Sequence, residues 1–394
     1  MSFIQSILEY GDSIIKVCSG YLISIIIFSL YNRRLRRVSN VDVSDRRIAV
    51  WEKLLWRFLT IFPVAYTAGI RGYITGADTQ NVWYGYIHSQ DMSLAENLNS
   101  DIGSILYVII RYFTAKITDC NVQVFLFLWA FFTMYFIILG IEKWKIKYAG
   151  FSLFIFYSFL GLQLFGQMRQ LMAVAIIFYA YYFVFYGNLK TFWVLALIAG
   201  FIHPSAWISA IVIWYLGVFR DKHHVVFTFN SNRSGNIGLY LLVGLVCVTL
   251  PYLIEIIGNT FLIGTKYQYI IDEMGTFDIG LGFILVLVPT FLPVLFFGRK
   301  TDMHNKFLNV LLMVVPCRLA GYYSFFLSRM TYFFGVINVV AFPKIIEQKE
   351  TKHKGFVSFC IAVCCLVYFL VYYCWIEANV FFPYVTFREI EFRW

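Results

Sequence analysis

Four short stretches hold the side chains best suited to chemistry: "RGYITGADTQNVWYGY" (71–86), "GQMRQ" (166–170), "HPSA" (203–206) and "LSRMTYF" (327–333). Between them they bring Arg71, Arg169 and Arg329, His203 and Asp78, with Trp83, Tyr84 and Gln170 close by in sequence. Arginine suits phosphate, because its planar fork donates two hydrogen bonds at once. Rigid, amphipathic Trp and Tyr rings suit the faces of sugars. Histidine is the side chain whose proton moves near neutral pH. Each residue also has a plain structural reading. Arg169 and Arg329 could snorkel to lipid headgroups. His203 could be a satisfied interfacial ring, with Pro204 simply starting the next helix. Asp78 could be a turn or capping residue. Trp83, Tyr84 and Tyr86 could form an interface belt.

The segments around these residues are apolar. The chain has 394 residues, of which 60% are hydrophobic, 20% aromatic and only 14% charged. Soluble domains carry roughly a quarter charged residues. Several continuous apolar runs approach the ~20 residues that cross a bilayer as a helix. They do not alternate, which argues against a membrane barrel. The sequence therefore predicts an all-α polytopic integral membrane protein. About twelve spans are expected, near 13–31, 50–69, 121–140, 148–165, 170–187, 190–203, 205–219, 237–257, 281–298, 306–325, 330–346 and 355–377. No period repeats and no linker divides the chain, so residues 1–394 read as one domain.

The net charge of +10 is no sign of nucleic acid. Lys and Arg gather in short clusters between apolar runs ("RRLRR", "KWKIK", "GRK"), which is how orientation in the membrane is encoded. The first apolar run, followed by "RRLRR", reads as retained rather than cleaved. The difficult segment is "DIGSILYVIIRYFTAKITD" (101–119), apolar enough to resemble a further span. Letting it cross would move most later basic clusters to the opposite side. It is therefore expected to be an amphipathic or re-entrant helix within a long outer loop, 70–120. Both termini then lie outside, and all four stretches fall at outer ends of spans. Three arginines, a histidine and an aspartate at one apolar face suggest an anionic ligand that arrives through the membrane.

Absences narrow the field. There is no phosphate-binding loop of the G-x-x-x-x-G-K-[ST] kind, no H-E-x-x-H and no G-x-S-x-G. No Asp-x-Asp pair offers a metal to a nucleotide sugar. The eight cysteines lack metal-site spacing, and "DKHH" (221–224) reads as a solvated basic loop. No metal and no cofactor is expected.

In their order, "RGYITGADTQNVWYGY", "DIGSILYVIIRYF", "QMRQLMAVAIIFYAYY", "GFIHPSAWI" and "FLSRMTYFFGVINVVAFPKII" resemble the EpsG family, the Wzy-type polymerases of bacterial O-antigen and exopolysaccharide. The resemblance covers roughly residues 50–350. The chain departs from it at Asp101-Ile102-Gly103, where members often carry an acidic residue followed by Pro-Gly. The resemblance implies a GT-C-like membrane glycosyltransferase of the cell inner membrane that works on its periplasmic face. The substrate it implies is an oligosaccharide repeat unit on undecaprenyl pyrophosphate. A chain-length-determining co-polymerase is the implied partner besides membrane lipid. On that reading Arg169 and Arg329, with Arg71 third, hold pyrophosphate. His203 and Asp78 compete to be the base, and Trp83, Tyr84 and Gln170 meet sugar. The competing classes are a flippase or other transporter of the same lipid-linked unit, and an O-antigen ligase.

Overall fold

The structure, a computed structural model, describes residues 3–39, 50–76, 78–219, 256, 260, 281–298, 302–320, 329–349, 351–376 and 381–386. The expected span 237–257, apart from Ile256, and the "DKHH" loop lie outside the described residues.

Every regular element among the described residues is helical. In chain order they are α1 (Phe3–Ser39), α2 (Val50–Gly69), α3 (Thr79–His88), α4 (Leu94–Ser100), α5 (Ile105–Ile117), α6 (Val122–Lys143), α7 (Ala149–Phe156), α8 (Gln163–Gly166), α9 (Met168–Phe185), α10 (Leu189–Ile202) and α11 (Ser205–Trp214). After these come α12 (Leu281–Phe297), α13 (Asp302–Leu312), α14 (Val314–Ala320), α15 (Thr331–Gly335), α16 (Asn338–Glu347) and α17 (Thr351–Tyr368). Wider π turns follow α7 (Tyr157–Gly161), α11 (Tyr215–Phe219) and α17 (Phe369–Ile376).

The chain is a helical membrane protein. Among the described residues, four helices have the length and composition to cross a bilayer: Leu8–Arg37, Val122–Lys143, Met168–Phe185 and His353–Ile376. Four apolar segments among the same residues are shorter: Ala149–Gly161, Leu189–Ile202, Ser205–Gly217 and Leu287–Phe297. The expected span 306–325 is broken between α13 and α14, with Pro316 in the second piece. The expected spans 148–165 and 330–346 are likewise interrupted, by the π turn after α7 and by the break at Val336–Ile337 between α15 and α16.

Helix ends follow local chemistry. Asn121 and Asn188 accept from the backbone N–H groups of Val124 and Thr191, each at 3.2 Å, and so cap α6 and α10. Ser93 and Glu96 form a reciprocal capping box that starts α4. Between the caps, α1 packs on α2 and α7, α2 on α6, α6 on α9, and α9 on α10. One end of this bundle is marked by the Arg57–Glu142 ion pair (2.5 Å) and by Glu347, whose carboxylate accepts from the Lys147 backbone N–H. Arg71, Asp78, Arg169, His203 and Arg329 lie toward the opposite end.

The segment 70–120, expected to be a long loop carrying one helix, is a small folded cap of three helices. Helix α5 has 13 residues and rises about 20 Å, short of the ~30 Å hydrocarbon core. Its two charges serve the cap. Arg111 donates to Asn97 Oδ1 of α4 at 2.9 Å, and Lys116 donates to the Gln90 carbonyl at 2.8 Å. Tyr107, Val108 and Ala115 are buried against the bundle, while Ile110, Phe113 and Ile117 stay exposed. A helix apolar on its outward face too is suited to lie against lipid.

Candidate functional site

The site rests on the turn between α8 and α9. The loop after α2 folds over that turn, and Gly76 makes this possible. Its φ of +85° lies in the left-handed region, and a Cβ there would collide with the Phe165 carbonyl. Just beyond it, the Asp78 backbone N–H donates to the Gly166 carbonyl at 3.1 Å. Thr79 Oγ1 donates to the Phe165 carbonyl at 2.9 Å. The far C-terminal segment closes the same corner, with Gly72 N donating to the Val385 carbonyl at 2.7 Å.

Arg71 is the centre of this corner and is only 1% exposed. Nη1 donates to the carbonyls of Ala68 (3.0 Å) and Leu164 (3.3 Å), Nε donates to Thr79 Oγ1 (3.2 Å), and the guanidinium lies 5.6 Å from the Phe165 ring centre. Burial lowers its pKa to about 10, which leaves it charged at neutral pH. The expectation that Arg71 meets pyrophosphate is therefore corrected. Its donors tie the end of α2 to the turn before α9, inside the protein and away from any approaching ligand.

Arg169, in the first turn of α9, is the accessible arginine. Its Nη1 pairs with Asp101 Oδ2 at 2.7 Å, both side chains being partly exposed, and its guanidinium lies 5.0 Å from the Tyr107 ring centre. Asp101 closes α4, and the turn after it rests on the next corner. A Cβ on Gly103 would sit 3.6 Å from the Pro204 ring. There His203 ends α10, and its Nδ1 lies 2.6 Å from Ser205 Oγ. Gln170 is buried and donates through Nε2 to the Arg329 carbonyl at 2.9 Å, which fixes the segment entering α15.

These side chains share one electrostatic field. Burial, with smaller effects from Arg169 and Arg329, pushes the His203 pKa down to about 3. Burial raises the Asp78 pKa, against the pull of Arg329 and Arg169. The structure thus brings together Arg169, Arg329, His203 and Asp78, with Asp101 and Tyr107 beside them. Trp83 is not part of this group. It is buried in the cap, edge-on to Tyr73 at 6.3 Å. Tyr84, its neighbour on α3, is exposed. Gln170 touches the arginine segment rather than an open surface. Asp101 was legible in sequence only as the family's acidic position. Nothing in the sequence flagged Tyr107, and Ser205 was visible only as part of the "HPSA" turn. Among the described residues, no group of three His, Cys, Asp or Glu side chains could hold a metal ion.

A depressed histidine has a consequence for pH dependence. Its charged form is disfavoured, so His203 stays neutral until the pH falls toward 3. An NMR titration of the ligand-free protein should therefore show no His203 transition between pH 5 and 8. Added pyrophosphate would offset the charge of the two arginines and raise that pKa, so the transition should move to higher pH in its presence. A transition near 6.5 in the ligand-free protein would contradict the half-buried, arginine-flanked placement.

The family model described as the EpsG family matches residues 54–386. The chain belongs to the EpsG family. The match runs over the whole corner just described, from α2 to the C-terminal segment that pairs with Gly72, and so past the range the motifs alone indicated. No curated protein and no solved structure matches the chain. In this EpsG-family chain the arginine of "MRQ" and the histidine of "HPS" are neighbours in space although 34 residues separate them. The reason is that α9 and α10 form an antiparallel pair, which returns the end of α10 to the start of α9.

Proposed function

We propose that the protein is a glycosyltransferase that polymerises undecaprenyl-pyrophosphate-linked oligosaccharide repeat units into surface polysaccharide on the periplasmic face of the inner membrane. The observation that carries this reading is the meeting of Arg169, Arg329, His203 and Asp78 at one end of an apolar bundle. Membership of the EpsG family supports it independently.

In the proposed step, a hydroxyl of the incoming lipid-linked unit attacks the anomeric carbon of the growing chain. The new C–O bond forms as the bond to pyrophosphate breaks. The lipid pyrophosphate leaves with the bonding electrons, and the hydroxyl proton passes to a base. Arg169 and Arg329 receive the charge that develops on the leaving group, a role best filled by donors already in place. In the ligand-free protein Asp101 holds Arg169, and pyrophosphate would take the place of that carboxylate. Neutral His203 serves in one of two ways, decided by its tautomer. If Nδ1–H donates to Ser205 Oγ, Nε2 is the base. If the Ser205 hydroxyl donates to Nδ1, Nε2–H donates to pyrophosphate. Asp78, less acidic than usual through burial, is the other candidate base.

The function is tested by deleting the gene and resolving surface polysaccharide on a gel. Loss of the ladder with retention of a single capped unit is the polymerase result. Loss of every species would instead favour a flippase or a ligase. Complementing the deletion with variants then separates the histidine roles. His203→Ala should abolish elongation while leaving the protein in the membrane. His203→Gln should fail as badly if the ring takes the proton, and should retain much of the ladder if the ring only donates to pyrophosphate. Near-normal chains from His203→Ala would remove the residue from the site.

A further inference from the structure

Three residues after Arg329, Tyr332 lines a cavity that a second arginine, Arg318, also faces. Phe159, Leu160 and Leu287 form apolar walls, and Arg318, Thr331 and Tyr332 line the polar part. The Arg318 guanidinium lies 5.1 Å from the Tyr372 ring centre, and its electrostatic neighbours are the hydroxyls of Tyr372, Tyr368 and Tyr332. Among the described residues no carboxylate lies within ion-pair reach of it. The polar wall extends further. Tyr332 Oη accepts from Gln163 Nε2 at 2.9 Å, and the other amide atom, Gln163 Oε1, is buried with no hydrogen-bond partner among the described residues.

The depth of the cavity follows from the helices that frame it. Leu287 lies six residues into α12, and Tyr368 lies eight before the end of the π turn at Ile376, which places both about 9–12 Å from that end of the bundle. The two helices run antiparallel, and the chain beyond Ile376 reaches the Arg71 corner, where Gly72 N donates to the Val385 carbonyl, so this is the end that carries the candidate site. Phe297, late in α12, packs edge-on to Phe356, early in α17. A cation at such a depth is costly and is kept where it meets a partner. Tyrosine faces offset part of that cost but supply no full counter-charge. The arrangement, cation and hydroxyls at one pole and hydrocarbon walls beside them, fits a phosphate attached to a lipid tail.

The proposed reaction requires two such ligands at once. One pyrophosphate leaves, and the outer cluster stabilises its growing charge with two arginines. The other belongs to the acceptor lipid, does not react, and needs only to be held. One arginine with hydroxyls is enough for holding. We infer that the Arg318 cavity seats the phosphate end of the second lipid-linked substrate, with its isoprenoid tail leaving past the partly exposed Leu287. This inference rests on the polymerase reading. An ordinary phospholipid offers the same phosphate chemistry, and the test separates the two.

The test is the stoichiometry of bound farnesyl pyrophosphate on the purified full chain, read by native mass spectrometry. The wild type should bind two molecules. Arg318→Met should bind one, and so should Leu287→Trp, which fills the cavity without touching the arginine. Arg169→Ala should also bind one, and combining it with Arg318→Met should abolish binding. Leu287→Trp keeps the test open should Arg318→Met fail to fold. Two molecules retained in both cavity variants would overturn the inference, as would displacement of the cavity-bound probe by equimolar dioleoyl phosphatidylglycerol. Loss in the cavity variants with no effect of Arg169→Ala would support the cavity and count against the outer cluster.

Discussion

Arg169→Ala should lose two to three decades in polymerisation rate, and Arg169→Lys should fare almost as badly. The side chain starts α9 on a backbone fixed by the turn that Arg71 and Asp78 brace from one side. Its guanidinium is already oriented by Asp101 at 2.7 Å and by the face of Tyr107. A donor preorganised for charge that develops on a leaving group contributes about 3–4 kcal/mol to the transition state, judged by oxyanion-donor deletions. Lysine keeps the charge but loses the fork that meets two phosphate oxygens at once. A snorkelling arginine predicts the reverse, because lysine reaches headgroups equally well. The measurement is ladder length from wild type, Arg169→Ala and Arg169→Lys at matched expression. Full-length chains from the lysine variant would refute the pyrophosphate role. Asp101→Asn provides the counterpart. It should spare most activity, since pyrophosphate is meant to replace that carboxylate.

Arg71→Met should damage the protein itself rather than the chemistry. Removing the guanidinium leaves the Ala68 and Leu164 carbonyls without that donor in a buried corner, and strips Thr79 of one partner. A buried polar group left unsatisfied costs about 1–3 kcal/mol, so the combined loss is on the order of 3 kcal/mol. The checks are the melting temperature and the yield of monodisperse protein in detergent, with activity normalised to folded protein. A large fall in melting temperature with modest change in normalised activity is expected. Unchanged melting with loss of activity would return Arg71 to the ligand. Arg71→Lys should recover little, because one ammonium cannot reach partners on both α2 and the α8–α9 turn.

Much of this architecture was legible before any coordinates. Continuous apolar runs of helical length can satisfy their backbone in lipid only as helices, so class and element type follow from composition and pattern. The placement of 101–119 followed from charge bias, and the structure gives that segment a helix too short to span. The order of the "MRQ" and "HPS" motifs pointed to the family. Residue type likewise marked Arg169, Arg329, His203 and Asp78, since ionisable groups at apolar helix ends are costly and therefore informative.

What the sequence left open was which of several similar residues are partly exposed and which face the protein. Arg71 and Arg169 look alike in sequence, each beside an apolar run. Only packing shows that one is enclosed by carbonyls and the other is partly exposed and paired with the Asp101 carboxylate. Trp83 and Tyr84 are adjacent, yet the ~100° between successive helix positions sends one into the cap and the other outward. Arg318 reads as one more charge near a span end until Tyr332, Tyr368 and Tyr372, from two other parts of the chain, gather around it. Sequence determined the elements and the chemical inventory, because both depend on local pattern. The site depended on contacts between residues tens to hundreds of positions apart, such as Arg71 with Leu164 or Gln163 with Tyr332, and those exist only once the helices have packed.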